Sequence, residues 1–297
     1  MQAIQNYFLH PSQLGIAITK KLVNILPDKL YLSLLYRFFF GRKLHWENPK
    51  AFTEKLQWLK LNDKRPEYAI MADKNLVKQY IINKIGADYV IPLLGVYKSF
   101  DEINFELLPN KFVLKTNHVG GGTGVVIVED KNSFDHDKAR KQLTNSLSSK
   151  KNNWKESQYD AIDRVIIAEQ YLEHEGELND YKFFCFNGVV KCFKIDFGRF
   201  TEHHANYYDR ECNLLPFGES LLMPDPKHQI SFPHNIGEMI SIAEKLSKDM
   251  PFARIDLYNV NNHIYFGEIT LHPGSGLIPY SPDEWDFKLG EWLNLNE

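Results

Sequence analysis

The sequence predicts an α+β fold with a helical N-terminal region. Within residues 1–66, apolar side chains recur at helical spacing, for example at Phe52, Leu56 and Leu59, and the strand–helix alternation of a nucleotide-binding α/β domain is missing. Later segments have the residue types of strands, and Asn187-Gly188 is a strong hairpin-turn signal between two of them. Strands are predicted at residues 89–96, 111–114, 125–128, 164–172, 181–186, 189–195, 252–258 and 264–270, and further helices at 73–85 and 235–249.

The composition is that of a soluble globular protein. The chain has 297 residues, 43% of them hydrophobic and 25% charged. Its 35 basic and 38 acidic residues give a net charge of −3, which argues against a nucleic-acid partner bound through a broad positive field. Cys185, Cys192 and Cys212 make no paired framework and residues 1–10 lack a secretory signal pattern, so we expect free thiols in a reducing, cytoplasmic compartment.

An apolar stretch at residues 30–40 allows two interpretations. It is interrupted by Arg37 and is far shorter than the roughly 20 residues that span a bilayer. Its length favours a buried helix. Peripheral contact with the inner face of a membrane is the other interpretation, because basic residues flank the stretch. These basic residues are Lys29, Arg37, Arg42 and Lys43.

The most informative segment places a lysine before a run of glycines. The apolar strand Phe112-Val113-Leu114 leads into Lys115, and a second apolar strand begins at Val125. Glycines let backbone N–H groups approach phosphate oxygens, and a lysine supplies a compact positive charge. The pattern predicts a phosphate-binding hairpin; the alternative is a glycine-rich surface turn beside an exposed lysine. The run consists of Gly120, Gly121, Gly122, Thr123 and Gly124.

This arrangement differs from other phosphate loops. Walker A and dinucleotide-binding loops place their glycines between a strand and a helix, whereas here a strand follows. In protein kinases the glycine loop precedes the lysine. The tripeptide Asp196-Phe197-Gly198 spells the kinase magnesium motif, but no His-Arg-Asp loop precedes it in this chain, so we do not interpret it as a kinase signal.

A third feature is a strand that runs into acidic residues. Residues 165–172, with the sequence VIIAEQYL, are followed by Glu173, Glu175 and Glu177. The end of such a strand can offer backbone groups to an adenine edge, and a later carboxylate can accept the two ribose hydroxyls. An acidic loop that binds nothing is the alternative.

Two strand-like segments near the C-terminus carry charges at alternate positions. Arg254 and Asp256 share one strand face, and Glu268 and Thr270 share another after a turn at residues 259–262. If these faces coincide in a hairpin, the two carboxylates meet and a cation must lie between them. Mg²⁺ binds few carboxylates together with phosphate oxygens, which suits an ATP site, and Arg254 adds a positive charge for a phosphate or oxyanion. A solvent-exposed strand face is the alternative.

These parts, in this order, resemble the ATP-grasp superfamily, and most closely its TupA-like branch, named for teichuronopeptide biosynthesis. The resemblance covers about residues 45–295. It implies an ATP-grasp fold, in which two α+β lobes clamp ATP. The implied division is a helical region at 1–66, a segment before the grasp at 67–110, lobe A at 111–165 and lobe B at 166–297.

The resemblance also implies roles for individual residues. It puts Lys115 on the phosphates or the adenine, Lys182 on the phosphates and Glu177 on the ribose, with the glycine run as a phosphate lid. Lys74 matches an early Asp-Lys pair for which no role is implied. The implied adenine contacts are Glu169, Gln170, Tyr171 and Leu172. The implied magnesium ligands are Asp256, Glu268 and Thr270, although many ATP-grasp ligases have asparagine at the third position.

The implied activity is an ATP- and Mg²⁺-dependent carboxylate–amine ligase that acts through an acyl phosphate. The expected substrates are a small-molecule or saccharide carboxylate of the uronic-acid type and an amine or amino acid, in bacterial surface polysaccharide or capsule biosynthesis. A phosphotransferase, a glycosyltransferase using the acidic triplet at 135–137, and a binding protein with a decayed site are the alternatives. Candidate catalytic residues are Arg254, Lys182 and Arg199. Further candidate substrate contacts are Lys194, His203, His204 and Tyr207.

Overall fold

The computed structural model describes residues 11–120, 122–149, 153–174, 178–198, 202–220 and 222–295. Helices in these ranges are α1 (Pro11–Lys21), α2 (Asp28–Phe40), α3 (Phe52–Asn62), α4 (Glu67–Ala72), α5 (Val77–Ile85), α6 (His136–Ser148), α7 (Ile236–Ser247) and α8 (Glu284–Trp292). The strands are β1 (Leu93–Tyr97), β2 (Phe112–Thr116), β3 (Val125–Val128), β4 (Ile166–Gln170), β5 (Asp180–Phe186), β6 (Val189–Phe197), β7 (His204–Tyr208), β8 (Gly218–Glu219), β9 (Phe252–Val260), β10 (His263–Thr270) and β11 (Tyr280–Ser281).

The strands form two antiparallel sheets and a short two-stranded ladder. The four-stranded sheet has the order β1-β4-β2-β3, the five-stranded sheet has the order β10-β9-β5-β6-β7, and β11 pairs with β8. Antiparallel sheets with helices packed on them confirm the predicted α+β class. The strand predicted at 89–96 begins only at Leu93, directly after Pro92, which has no N–H to donate.

One face of the four-stranded sheet packs against α6, and the other carries Lys115 and Glu169 among aliphatic side chains. Phe112, Leu114 and Ile166 are fully buried in a cluster that includes Leu143 of α6. Because successive side chains point to opposite faces, Lys115 and its neighbours on β4 project from the other face. Lys115 and Glu169 therefore share the face that does not pack against α6.

One face of the five-stranded sheet is largely apolar and packs against α7. This face includes Phe183 and Ile255. Its opposite face is divided. Along β5, Asp180 and Lys182 precede Phe184 on this second face. The apolar half is covered by α3 and α8, since Phe184 belongs to a buried cluster with residues of both helices. The polar half carries the candidate site.

The N-terminal helices pack onto the rest of the chain. Phe52 of α3 lies 4.9 Å, centroid to centroid, from Phe252, and Asp286 of α8 accepts a hydrogen bond from the Thr53 N–H (2.9 Å). The apolar stretch at 30–40 lies in α2, and its residues Tyr31, Leu32, Leu35 and Tyr36 are fully buried, which confirms a buried helix there. No helix in the described part of the chain combines the length and apolar character needed to cross a bilayer. The four domain ranges stay a prediction.

Candidate active site

Lys115 belongs to a buried cluster of ion pairs at the four-stranded sheet. Its Nζ lies 2.6 Å from Oε2 of Glu169 on β4, and Nζ of Lys78 lies 2.6 Å from Oε1 of the same carboxylate. Lys78 also donates to the carbonyl of Ile91 (2.8 Å). The Glu169 side chain is 6% exposed and that of Lys115 is 19% exposed. The carboxylate therefore anchors two lysines, of which Lys115 keeps more contact with solvent.

The glycine run closes the hairpin between β2 and β3. The Thr116 N–H donates to the Gly124 carbonyl (2.9 Å), and a Cβ on Gly124 would collide with the hydroxyl groups of Thr116 and Ser146. Gly122 has a φ of +77°, in the left-handed region that favours glycine. The hairpin backbone thus requires glycine at both positions. Gly120 and Thr123 lie exposed in the turn, and Gly121 lies outside the described residues.

Lys74 links this hairpin to the five-stranded sheet. Asp73 accepts hydrogen bonds from the N–H groups of the two residues that follow Lys74, which fixes the turn before α5. The Lys74 N–H donates to the Asn117 carbonyl (3.0 Å), and its ammonium donates to the Val119 carbonyl (2.8 Å). The same ammonium lies 3.9 Å from Oε2 of Glu268 on β10. The glycine hairpin and the late carboxylate therefore face a common cation.

A β-bulge decides which way Glu268 points. The turn at 261–262 places Phe266 of β10 opposite Leu257 of β9. Without a register change, Gly267 would then lie opposite Asp256, and Glu268 would point to the apolar face that packs on α7. The register shifts between Phe266 and Glu268, so Glu268 lies opposite Asp256 on the polar face. Sequence analysis predicted this pairing without identifying the bulge that produces it.

Arg254 lies between the two carboxylates. Its Nε donates to Asp256 Oδ1 (2.7 Å), and its Nη2 donates to Asp256 Oδ2 (2.7 Å), to Glu268 Oε1 (2.9 Å) and to the Thr270 hydroxyl (3.0 Å). The Thr270 hydroxyl in turn donates to Glu268 Oε1 (3.0 Å). The expected cation between the carboxylates is therefore provided by the protein's own guanidinium. Repulsion between the two acids, taken alone, does not demand a metal.

Ionic contacts continue across the sheet from Asp256. Lys182 of β5 is 9% exposed at its side chain and donates to Asp256 Oδ2 (2.8 Å) and to Asp180. Lys194 of β6 lies directly opposite Lys182 in the sheet, and its Nζ is 3.4 Å from Asp196 Oδ1. Burial lowers the pKa of Lys182, but the two aspartates outweigh this effect and raise it, so the ammonium stays charged. Charged side chains of both signs thus lie side by side on three adjacent strands, β9, β5 and β6.

The other candidate substrate contacts have different exposures. Tyr207 is fully buried, and its hydroxyl donates a hydrogen bond to Glu219 (2.6 Å), which also accepts one from Lys194 (3.1 Å). Tyr207 and Lys194 are therefore both bound to the same buried carboxylate. The substrate contact of Tyr207 stays a prediction. His203 has a side chain that is 37% exposed, and the Nδ1–H of His204 donates a hydrogen bond to the Met223 carbonyl (2.9 Å). Arg199 lies outside the described residues.

The late carboxylates suit a magnesium ion. Burial would raise the pKa of Glu268, but Lys74, Arg254 and Lys182 outweigh this effect and hold the pKa at about 2. Its side chain is 31% exposed, whereas that of Asp256 is 3% exposed, so Glu268 is the more accessible oxygen donor. No cluster of three or more His, Cys, Asp or Glu side chains within the described ranges has metal-binding geometry. Two carboxylates with phosphate oxygens and water form the kind of donor set that Mg²⁺ uses.

The strand end after Glu169 leads into the connection between the sheets. The Gln170 N–H donates to the Pro92 carbonyl (3.0 Å), so this N–H group already has a hydrogen-bond partner within the protein. The Tyr171 hydroxyl donates to Glu129 (3.3 Å), and Leu172 is partly exposed beside it. The adenine contacts stay a prediction, and Glu177, the candidate ribose contact, lies outside the described residues.

Sequence reasoning missed two parts of the site. Lys78 was not considered, although it lies four residues after Lys74 and both lysines face the candidate site. Asp180 was also missed, although it shares a strand face with Lys182. The spacings of four and two residues were the available signals. Neither was decisive, because charged residues at such spacings are common on solvent-exposed surfaces.

The Glu169 cluster predicts a pH dependence of stability. Burial would raise the pKa of Glu169, but Lys115 and Lys78 outweigh it and hold the pKa below its ordinary value of 4.5. The folded state therefore binds this proton more weakly than the unfolded state, so the contribution is present above about pH 4.5 and is lost as the pH falls through the folded pKa. We expect urea unfolding of a Glu169→Gln variant to show a smaller loss of stability between pH 6 and pH 3 than the unmodified protein. An unchanged pH profile would contradict the cluster.

The chain is similar to one protein family and, distantly, to several solved enzyme structures. The family model described as TupA-like ATPgrasp matches residues 54–294. No curated protein matches the chain significantly. Among solved structures, the D-alanine–D-alanine ligase of Bacillus anthracis is 18% identical, with 68% of this chain and 57% of that chain covered and a TM-score of 0.38. The L-amino acid ligase of Bacillus licheniformis is 14% identical (76% and 50% covered, TM-score 0.45). The N5-carboxyaminoimidazole synthetase of Staphylococcus aureus is 16% identical (82% and 57% covered, TM-score 0.42).

The family assignment depends on the family model and not on these distant structural similarities. The chain spans less than two thirds of the length of each of the three enzymes. The family match, in contrast, covers the glycine hairpin, the strand end at Glu169 and both late carboxylates. This chain belongs to the TupA-like ATP-grasp family.

Proposed function

We propose that this protein is an ATP-dependent ligase that joins a carboxylate to an amine through an acyl phosphate. The observation that carries the proposal is the continuous charged surface between the two sheets. It runs from Lys115 and Glu169 through Lys74 to Glu268 and Arg254, so a triphosphate held by the hairpin would extend toward the late carboxylates. Membership of the ATP-grasp family supports the same nucleotide.

The proposed reaction has two steps. A carboxylate oxygen of the substrate forms a bond to the γ-phosphorus, the bond to the β–γ bridging oxygen breaks, and ADP leaves. The amine nitrogen then bonds to the acyl carbon, phosphate leaves with the electron pair of the C–O bond, and the nitrogen loses a proton. Arg254 provides a fixed positive charge beside the transferred group, and Lys182 keeps Asp256 oriented. Magnesium held by Asp256 and Glu268 would neutralise phosphate charge.

The substrates and the cellular setting are additional proposals. We propose a uronic-acid-type carboxylate and an amino acid or other amine, as expected for a TupA-like protein of bacterial surface polysaccharide or capsule biosynthesis. A cytoplasmic location is consistent with the free, buried thiols of Cys185 and Cys192. Contact of the N-terminal helices with the inner face of the membrane stays a prediction, as do the roles of Lys182 and Arg199 in catalysis.

Following the γ-phosphate of ATP into the reaction products tests the proposal. The protein is incubated with Mg²⁺, ATP labelled at the γ-phosphate, a uronic acid and a mixture of amino acids. We expect labelled inorganic phosphate to appear at a high rate only when acid and amine are both present, together with an amide product that contains no phosphorus. Label retained on an organic product would instead show a phosphotransferase. A product formed only from a sugar nucleotide would show a glycosyltransferase.

A further inference from the structure

The first helix has an exposed face with aligned aliphatic side chains. Leu14 and Ile18 of α1 are both exposed, Ile18 to 53%. After Lys21 the Leu22 carbonyl accepts a hydrogen bond from the Ile25 N–H (2.9 Å), so helical winding continues beyond the end of α1, and Ile25 is 73% exposed. Leu14, Ile18 and Ile25 follow one another at intervals of four and seven residues, which places them on one face of the helix.

The opposite side of this helix is already packed. Ile16, Val23 and Leu26 lie against a buried cluster formed largely by α2. A Cβ on Gly15 would collide with the ring of Phe38, so α1 and α2 are in close contact. The exposed face therefore belongs to a helix that is held by its other side. Single exposed aliphatic residues are common on proteins, but an aligned set of them is typical of an interaction surface.

The surroundings of this face are positively charged. Residues 1–47 contain six basic and two acidic side chains, a net charge of +4, whereas the whole chain carries −3 and residues 48–297 therefore carry −7. Lys21 is exposed on the same helical face, three residues after Ile18, and Lys29 is exposed at the start of α2. Positive charge is thus concentrated in the part of the chain that carries the exposed aliphatic side chains.

An anionic lipid surface matches both properties. A helix of this kind lies in the plane of a membrane surface with its aliphatic side chains below the headgroups, and anionic lipids attract the basic side chains beside it. A second copy of this chain fits less well, because a symmetric contact through this face would bring two positively charged surfaces together. A purely acidic protein surface would match the charge and leave the aliphatic side chains without an apolar contact.

We propose that the exposed face of α1 binds the anionic lipid headgroups of a membrane and places its aliphatic side chains at the boundary with the acyl chains. The sequence pattern points to residues 30–40 for membrane contact, whereas that stretch packs into the core through four fully buried side chains. This surface carries none of the candidate site residues, so the proposed lipid contact is independent of the proposed ligase activity. The face consists of Leu14, Ile18, Lys21 and Ile25.

Co-sedimentation with lipid vesicles tests the proposal. Vesicles of phosphatidylcholine alone are compared with vesicles that contain about one third phosphatidylglycerol. We expect the unmodified protein to bind the anionic vesicles, with an affinity that falls as salt is added. Ile25→Glu should lower the partition coefficient at least about tenfold, because it puts a negative charge at the most exposed aliphatic position of the face. Leu107→Glu is the matched control, because Leu107 is 82% exposed and lies in another part of the chain, before β2.

Three vesicle results would overturn the proposal: no binding of the unmodified protein to the anionic vesicles, equal binding to both kinds of vesicle, or equal binding by Ile25→Glu and Leu107→Glu. If Ile25→Glu does not fold, Ile18→Glu replaces it in the same comparison. Analytical ultracentrifugation tests the other occupant. An unmodified protein that is a dimer, with a monomeric Ile25→Glu variant, would make this face an interface between two copies and overturn lipid binding. The vesicle measurement contains no nucleotide, so its result stands whether or not ligase activity is found.

Discussion

Replacing Glu268 with glutamine is expected to lower the rate of ATP consumption at least about 100-fold while the protein stays folded. The side chain is the more accessible of the two late carboxylates, and its pKa of about 2 keeps it ionised at neutral pH. Glutamine preserves the shape and can still contact Arg254 and Thr270, but it removes the negative charge that a magnesium ion requires. Turnover should therefore fall much more than stability.

The measurement combines phosphate release with urea unfolding. Glu238→Gln is a matched control, because Glu238 is an exposed glutamate on α7, which packs on the opposite face of the five-stranded sheet. Asp256→Asn is a poorer probe. Asp256 is nearly fully buried between Arg254 and Lys182, and breaking a buried ion pair from one side costs about 3–5 kcal/mol. Undiminished ATP consumption by a folded Glu268→Gln variant would rule out the assignment of this carboxylate.

Replacing Lys115 with methionine is expected to weaken ATP binding about 100-fold. The ammonium is held 2.6 Å from Glu169 on the face of the four-stranded sheet that points away from α6, and its side chain is partly exposed there. Methionine keeps the length of the side chain and removes the charge, so the loss of affinity reports the contact with phosphate or adenine. Calorimetric titration with ADP and with a non-hydrolysable ATP analogue measures the effect.

Lys78→Met distinguishes a direct contact from an indirect one. Both lysines bind the same carboxylate, so either substitution leaves Glu169 with one cation. Lys78 is also tied to the Ile91 carbonyl and is less exposed than Lys115, so its loss should affect stability more than nucleotide affinity. Equal losses of ATP affinity in the two variants would show that Lys115 acts only through the position of Glu169.

Much of the fold class and of the polar face could be predicted from sequence. A helical region followed by strands, the glycine hairpin and the alternate charges at Arg254, Asp256, Glu268 and Thr270 all appear as local patterns. Side chains at alternate positions of a strand must share a face, and a glycine run must form a turn. These features depend only on neighbouring residues, which is why the sequence by itself determined them.

The tertiary structure decided how these parts meet. Glu268 joins Asp256 only because a bulge at Gly267 shifts the strand register, and a glycine in a strand is compatible with either a straight or a bulged backbone. Lys74 reaches Glu268 from the turn before α5, and Lys78 reaches Glu169 from α5 itself, and both lysines are far from these carboxylates in sequence. Arg254 takes the place between the carboxylates through contacts that span both strands. Such contacts follow from register and packing between distant segments, and local spacing does not specify either.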